Sequence, residues 1–291
     1  MGEAVATRIN AAPVGAATLY DAAARDPRVA ADAPHRPAAP AMCQLLGMNA
    51  NTPTDVMFSF TGLATRADEH KDGFGIAFFE DKGLRLFIDP QSALNSPVAD
   101  MVRRYPIKSG NVIAHIRKAT QGHVALENCH PFLRELWGRY WVFAHNGDLK
   151  DFHPRLHGAF RPVGSTDSER AFCWLMQELA KAHASVPTVA ELSTTLRELL
   201  PELRAHGSFN MLLSNGQALW AHGATQLHWL QRQHPFRPAT LADEDLSVDF
   251  AALTQPSDRV AVVATQPLTT GEAWQPIAPG ELKVFVDGTA V

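Results

Sequence analysis

A methionine directly precedes a cysteine in the run Met42-Cys43-Gln44-Leu45-Leu46-Gly47, at the head of the first stretch that reads as globular. If translation begins at Met42, or the chain is cut after it, Cys43 carries a thiol and a free α-amine on one residue. A terminal amine has a pKa of about 7.7 to 8.0, against about 10.4 for lysine, so part of it can accept a proton near neutral pH. A thiol ionises near about 8.5. Proton transfer from sulfur to amine therefore costs little, and the same amine can return the proton to a departing ammonia. Left in mid-chain, Cys43 has only a non-basic amide nitrogen and reads as a small buried hydrophobe. Taken alone, the residue leaves both readings open.

Further segments hold the residue types that an amide-cleaving thiol needs. In His115-Ile116-Arg117-Lys118-Ala119-Thr120-Gln121-Gly122, a guanidinium stands at the end of an apolar run and before a glycine. There it could clamp a carboxylate through two parallel hydrogen bonds, or sit in a surface ion pair. In His145-Asn146-Gly147, an asparagine amide beside a glycine N–H makes a pair of donors for the oxyanion of a tetrahedral intermediate. Asn-Gly is equally a routine turn. Asp167 falls in the first turn of an expected helix, where a carboxylate could hold an α-ammonium or simply favour the helix dipole. In Glu127-Asn128-Cys129-His130-Pro131-Phe132, His130 reads either as a structural hydrogen-bonder or as a site residue. His153 and His157 have the i,i+4 spacing of a metal pair, but no HExxH pattern or carboxylate accompanies them, so neither a metal nor another cofactor is expected.

Short apolar strands must position these groups. Residues 74–80 and 84–89 flank Asp81-Lys82-Gly83, which predicts a hairpin with glycine at the positive-φ position. Residues 111–119, 140–145, 209–213, 218–221, 227–231, 260–265 and 282–286 are further strand candidates, several of them apolar almost throughout and so covered on both faces. Thr166-Asp167-Ser168-Glu169 reads as a capping box opening a helix over 167–183. Thr188 with Glu191 repeats the signature for a second helix ending near Pro201, and Thr52-Pro53 could open another. Residues 235–255 read as a polar surface excursion.

The chain has 291 residues, 46% of them hydrophobic, enough to bury a large core. A net charge of -4 offers no footprint for nucleic acid or an anionic membrane, and no apolar run approaches bilayer-spanning length. Three cysteines without CxxC spacing favour neither a disulfide framework nor a thiolate metal site, which fits a reducing cytoplasm. Residues 1–41 are dominated by alanine and proline and are expected to be a disordered leader or an overcalled start, with residues 42–291 as the functional domain. A weak apolar run near 11–19 is too poor in leucine for a good secretory signal.

Five motifs taken in order carry a resemblance: Met42-Cys43-Gln44-Leu45-Leu46-Gly47, Asp72-Gly73-Phe74-Gly75-Ile76-Ala77, the segment from His115 to Gly122, Asn128-Cys129-His130-Pro131-Phe132, and His145-Asn146-Gly147. Together they resemble the class II glutamine amidotransferases of the N-terminal nucleophile hydrolases, over essentially residues 42–291. The resemblance implies an α+β, four-layer αββα sandwich of two antiparallel sheets. It implies Cys43 as nucleophile, Asn146 and Gly147 as oxyanion hole, Arg117 as clamp for the glutamine α-carboxylate, and Asp167 as partner of the substrate amine, with Thr120 and Gly122 lining the pocket. Lys118 stands where several synthase-linked members have tryptophan. Neither GxGxxG nor GxxxxGK[ST] occurs. The chain is therefore expected to hydrolyse glutamine or a γ-glutamyl amide, a small-molecule substrate, with ammonia delivery to a separate synthase partner as the alternative and homo-oligomerisation open. If residues 1–41 stay attached, a non-catalytic binding module remains. A metal hydrolase is the other rival, and chelation would test it.

Overall fold

The structure, a computed structural model, describes residues 43–68, 72–118 and 123–291. The first half runs β1 (Gln44–Asp55), α1 (Met57–Ala64), β2 (Phe74–Glu80), β3 (Gly83–Asp89), α2 (Pro97–Arg104), β4 (Lys108–Ile116), β5 (Phe132–Leu136) and β6 (Arg139–Leu149). Two longer helices follow, α3 (Asp167–Ala182) and α4 (Val189–Ala205). The remaining strands are β7 (Gly207–Ser214), β8 (Leu219–His222), β9 (His228–Gln233), β10 (Pro238–Leu241), β11 (Ser247–Asp249), β12 (Arg259–Ala264), β13 (Thr269–Thr270), β14 (Gln275–Pro276), β15 (Leu282–Val286) and β16 (Thr289–Ala290).

Among the described residues, a seven-stranded sheet has the order β14-β9-β12-β1-β4-β2-β3 and a six-stranded sheet the order β16-β15-β8-β7-β6-β5. Both are antiparallel, and β1 lies at the centre of the first. Side chains alternate faces along a strand. Leu46 and Met48 of β1 therefore point outward, into the core that Phe60 and Leu63 of α1 and Val102 of α2 share. Leu45, on the opposite face of the strand, joins Ala261 and Val263 against Ala144, Leu212 and Leu219 of the other sheet. On that sheet's far face, Trp141, Phe143 and Phe209 meet Phe172 and Leu175 of α3 and Leu196 and Leu200 of α4. The order is helix, sheet, sheet, helix, the αββα sandwich that the resemblance implied. Gly47 shows how closely the sheets approach: a Cβ there would stand 2.9 Å from Leu219 Cδ2 and 3.2 Å from Leu212 Cδ1.

Local chemistry departs from expectation in five places. The left-handed residue of the first hairpin is Asp81 (φ 52°), a short polar residue that tolerates this region, while Gly83 simply opens β3. Thr52-Pro53 opens no helix, because Thr54 and Asp55 still pair with Ser109 and Lys108 of β4; α1 starts at Met57, whose N–H is taken by Asp55 Oδ1 at 2.7 Å. Thr188 and Glu191 form the complete capping box, whereas Thr166 makes only half of one. Glu169 turns instead to Arg134 Nη2 (2.5 Å) and to the N–H groups of Val163 (3.0 Å) and Gly164 (2.7 Å). Pro201 does not end α4, since the buried stripe continues through Leu200 and Leu203 and outweighs one missing N–H.

The fifth departure is the stretch 235–255, which stays largely at the surface, as read, but carries strands of its own. It folds into β10 and β11, paired with β13 as a three-stranded sheet, and buries Ala239 and Leu241. Phe250 closes it, edge-on to Phe58 at 5.6 Å and under the Arg232 guanidinium at 4.4 Å. Among the described residues no helix is long and apolar enough to cross a membrane.

Candidate active site

Cys43 lies directly before the central strand β1, in phase with Leu45, which sets it at the mouth of the layer between the sheets. Its Sγ accepts the Lys118 N–H at 3.1 Å and can donate to the Lys118 carbonyl at 3.2 Å. Burial pushes the Cys43 thiol up from its ordinary value; the Lys118 N–H bond and then the Arg117 guanidinium pull it down without reversing the shift. A thiol held this way stays protonated near neutral pH until a base takes the proton. The start of β1 is pinned by Thr265, whose Oγ1 accepts Leu45 N–H at 2.8 Å while its own N–H donates to the Leu45 carbonyl at 3.2 Å.

Arg117 follows β4 and is 3% exposed, so it is not a surface ion-pair arginine. Its N–H donates to the Gly73 carbonyl at 2.8 Å, its carbonyl accepts from Asp72 N–H at 3.3 Å, and Nη1 reaches the His123 carbonyl at 3.3 Å. Thr120 and Gly122 lie outside the described residues.

Asn146 and Gly147 form no turn: both lie inside β6, opposite Asn210 and Phe209 of β7. The ladder leaves no room for a side chain at Gly147, where a Cβ would stand 1.9 Å from the Ser208 carbonyl oxygen. Asn146 Nδ2 donates to the Cys43 carbonyl, joining residues 103 apart in sequence and belonging to different sheets. An asparagine amide has a second N–H, which has no acceptor among the described residues. Asn146 is positioned from behind by Asn210, fully buried, whose Nδ2 donates to the Asn146 carbonyl (3.0 Å) and to Thr225 Oγ1 (2.8 Å) and whose Oδ1 accepts the N–H groups of Ala224 and Thr225.

Asp167 joins the group through the end of β6. It opens α3, and its Oδ2 accepts Leu149 N–H at 2.8 Å, two residues past Gly147. It also lines a groove of about 380 Å³ with Lys150, Ser165 and Arg170. Beneath it, His145 is buried with Nδ1 2.8 Å from Ser168 Oγ and Nε2 3.2 Å from the Ser208 carbonyl.

Of the two readings open for His130, hydrogen-bonder or site residue, the structure does not support the first. Both its ring nitrogens lack a partner among the described residues, and the ring packs 4.4 Å from that of His115 and 4.5 Å from that of Phe132. Burial first, and then the neighbouring His115, His145 and Arg117, hold it well below the ordinary histidine range. Cys129 is equally sequestered, its thiol pushed up to about 11 by burial. His153 and His157 lie in an irregular segment rather than on a helix; His153 meets Arg170 at 3.1 Å, and the Gln177 side chain takes the His157 N–H at 2.6 Å. Among the described residues no three His, Cys, Asp or Glu side chains are grouped to hold a metal.

Cys43, Arg117 and the Asn146-Gly147 pair are thus brought together, with Asp167 attached to the same strand. Asn210 and Thr265 escape a sequence reading because their partners lie 64 and 220 residues away and no local pattern marks them.

A family model described as class-II glutamine amidotransferases matches residues 42–291. The protein YafJ of Escherichia coli strain K12, assigned by name to the glutamine amidotransferases, is 54% identical over 254 residues, covering 86% of this chain and 100% of that protein. A crystal structure from Pseudomonas aeruginosa PA01, assigned to the same group, has 42% identity and a TM-score of 0.70 over 86% of this chain and 99% of its own. The glutamine phosphoribosylpyrophosphate amidotransferase of B. subtilis shares the fold at 17% identity, with a TM-score of 0.54 over 86% of this chain and 48% of its own.

Proposed function

The chain belongs to the class-II glutamine amidotransferases, enzymes that act on the side-chain amide of glutamine, and from that premise we propose that it is a cysteine amidohydrolase cleaving glutamine or a γ-glutamyl amide. In this reading the mature protein begins at Cys43. The α-amine takes the thiol proton, and the thiolate attacks the side-chain carbonyl. Asn146 Nδ2 and Gly147 N–H hold the resulting oxyanion, and the amine passes its proton to the departing ammonia or amine. A glutamyl thioester remains. Water, deprotonated by the same amine, then releases glutamate and restores the thiol. Arg117 holds the α-carboxylate and Asp167 the α-ammonium, with Thr120 and Gly122 along the pocket wall.

The observation that carries the reading is the Asn146 to Cys43 hydrogen bond, which sets an amide donor of one sheet on the main chain of the residue whose thiol heads the other. The raised thiol adds to it, because such a sulfur needs a base, the role this reading gives to its own amine. The family match begins at Met42, which favours removal of everything before Cys43. Three free thiols suit a reducing cytoplasm.

Glutamate release from glutamine and from a panel of γ-glutamyl amides tests the proposal. Release from at least one of them, abolished in Cys43→Ala, is expected. No release from any, or unchanged release in Cys43→Ala, overturns it.

A further inference from the structure

We propose that His145 keeps the Ser168 hydroxyl away from Asp167, so that Asp167 Oδ1 stays open for a primary ammonium group on the substrate. This rests on the reading of Asp167 as the ammonium partner. A carbonyl oxygen only accepts, so the 3.2 Å contact between His145 Nε2 and the Ser208 carbonyl places a hydrogen on Nε2. In the neutral ring Nδ1 is then bare, and Ser168 must be the donor across the 2.8 Å contact. A hydroxyl has one proton. Given to His145, it cannot also be given to Asp167 Oδ1, which stands farther off at 3.4 Å. Asp167 Oδ2 is already engaged by Leu149 N–H. Oδ1 is therefore the less engaged oxygen of Asp167, a residue that lines the groove shared with Ser165 and Arg170.

The neutral ring is the favoured form, since burial lowers His145 against the opposing pull of Asp167 and Asp148; His130 and His222 are the other titratable groups close enough to feel it. Protonation reverses the chain. Nδ1–H then donates to Ser168 Oγ, the hydroxyl proton swings to Asp167 Oδ1, and the ammonium must share that oxygen with a second donor, which weakens its hold. Replacing His145 with a side chain that cannot accept has the same consequence.

The test uses the Cys43→Ala protein, in which nothing turns over, and calorimetric affinities for L-glutamine and for 4-carbamoylbutanoate, the same molecule without its ammonium. His145→Phe is expected to weaken glutamine about five- to tenfold while leaving the des-amino acid within about twofold. His145→Gln, whose amide can accept from Ser168 and donate to Ser208, stays near the parent, and adding Ser168→Ala to His145→Phe restores glutamine affinity. Equal weakening of both ligands by His145→Phe, or no rescue by Ser168→Ala, overturns the inference. Asp167→Asn separates the two levels: unchanged glutamine affinity there, or no glutamine binding by the parent, overturns the reading of Asp167 itself. Should His145→Phe fail to fold, acid substitutes for it. Glutamine affinity of the parent then falls more steeply on lowering pH than that of Ser168→Ala, and equal slopes overturn the inference.

Discussion

On the seven-stranded side of the site, Cys43 and Arg117 are fixed by bonds in which a main-chain N–H is the donor: Lys118 N–H to the sulfur, Arg117 N–H to Gly73, and the Leu45 pairing with Thr265. On the six-stranded side, Asn146 and Asp167 depend on buried side chains, namely Asn210, His145 and Ser168, with Glu169 and Thr166 securing the start of α3. The difference follows from what each side supplies. A thiol and a guanidinium at strand ends need only a correctly placed backbone. An amide and a carboxylate that must point a given oxygen or N–H at a substrate need their rotamers held, and side-chain hydrogen bonds do that. Truncations on the second side should therefore cost more than those on the first.

Asn146→Ala breaks the comparison open most widely: kcat should fall about 10²- to 10³-fold, the usual cost of one oxyanion donor, with the thermal transition little moved. Parallel loss of folding and activity would mean that the amide only packs. Glu169→Ala should cost about 3 kcal/mol in denaturant unfolding, because it strands Arg134 and two loop N–H groups; the low end of the buried-pair range applies since Arg134 is 19% exposed.

His222 predicts an acid-sensitive six-stranded sheet. Burial lowers it to about 4, its Nδ1 bonded to the Phe209 carbonyl at 2.6 Å. An unfolded histidine protonates near about 6.5, so between the two values the unfolded chain takes up a proton that the folded one refuses. Stability is full above pH of about 6.5 and declines as pH falls toward about 4, by up to about 3 kcal/mol. His222→Asn should flatten that stretch of the stability profile, and an unaltered slope would show that the proton is taken up elsewhere. The smallest effect belongs to the first side: Thr265→Val should cost about 1 kcal/mol and leave the rest of β1 paired.

Where a signal is local, the chain could be read in advance. The Thr188 to Glu191 box, the apolar strand Leu282–Val286 and the helix opening at Asp167 all fall where their own few residues place them. Misreadings come where distant partners decide. Asn146-Gly147 has the composition of a turn, yet pairing with β7 makes it strand. Glu169 has the spacing of a capping box but is drawn off by Arg134, 35 residues earlier in the chain. Pro201 should stop a helix and is overruled by the apolar stripe around it. The residues proposed to react stood out because their chemistry is unusual for their neighbourhood; Asn210, His145 and Ser168, packed behind them, are ordinary residues whose meaning is geometric.

The central claim is that sulfur and a free amine share one residue in the working enzyme. Intact-mass analysis with N-terminal sequencing of the native, glutamate-releasing protein tests it most directly. A first residue of Cys43 is the predicted result; a fully active protein that keeps Met42 and the residues before it in peptide linkage to Cys43 would contradict the account.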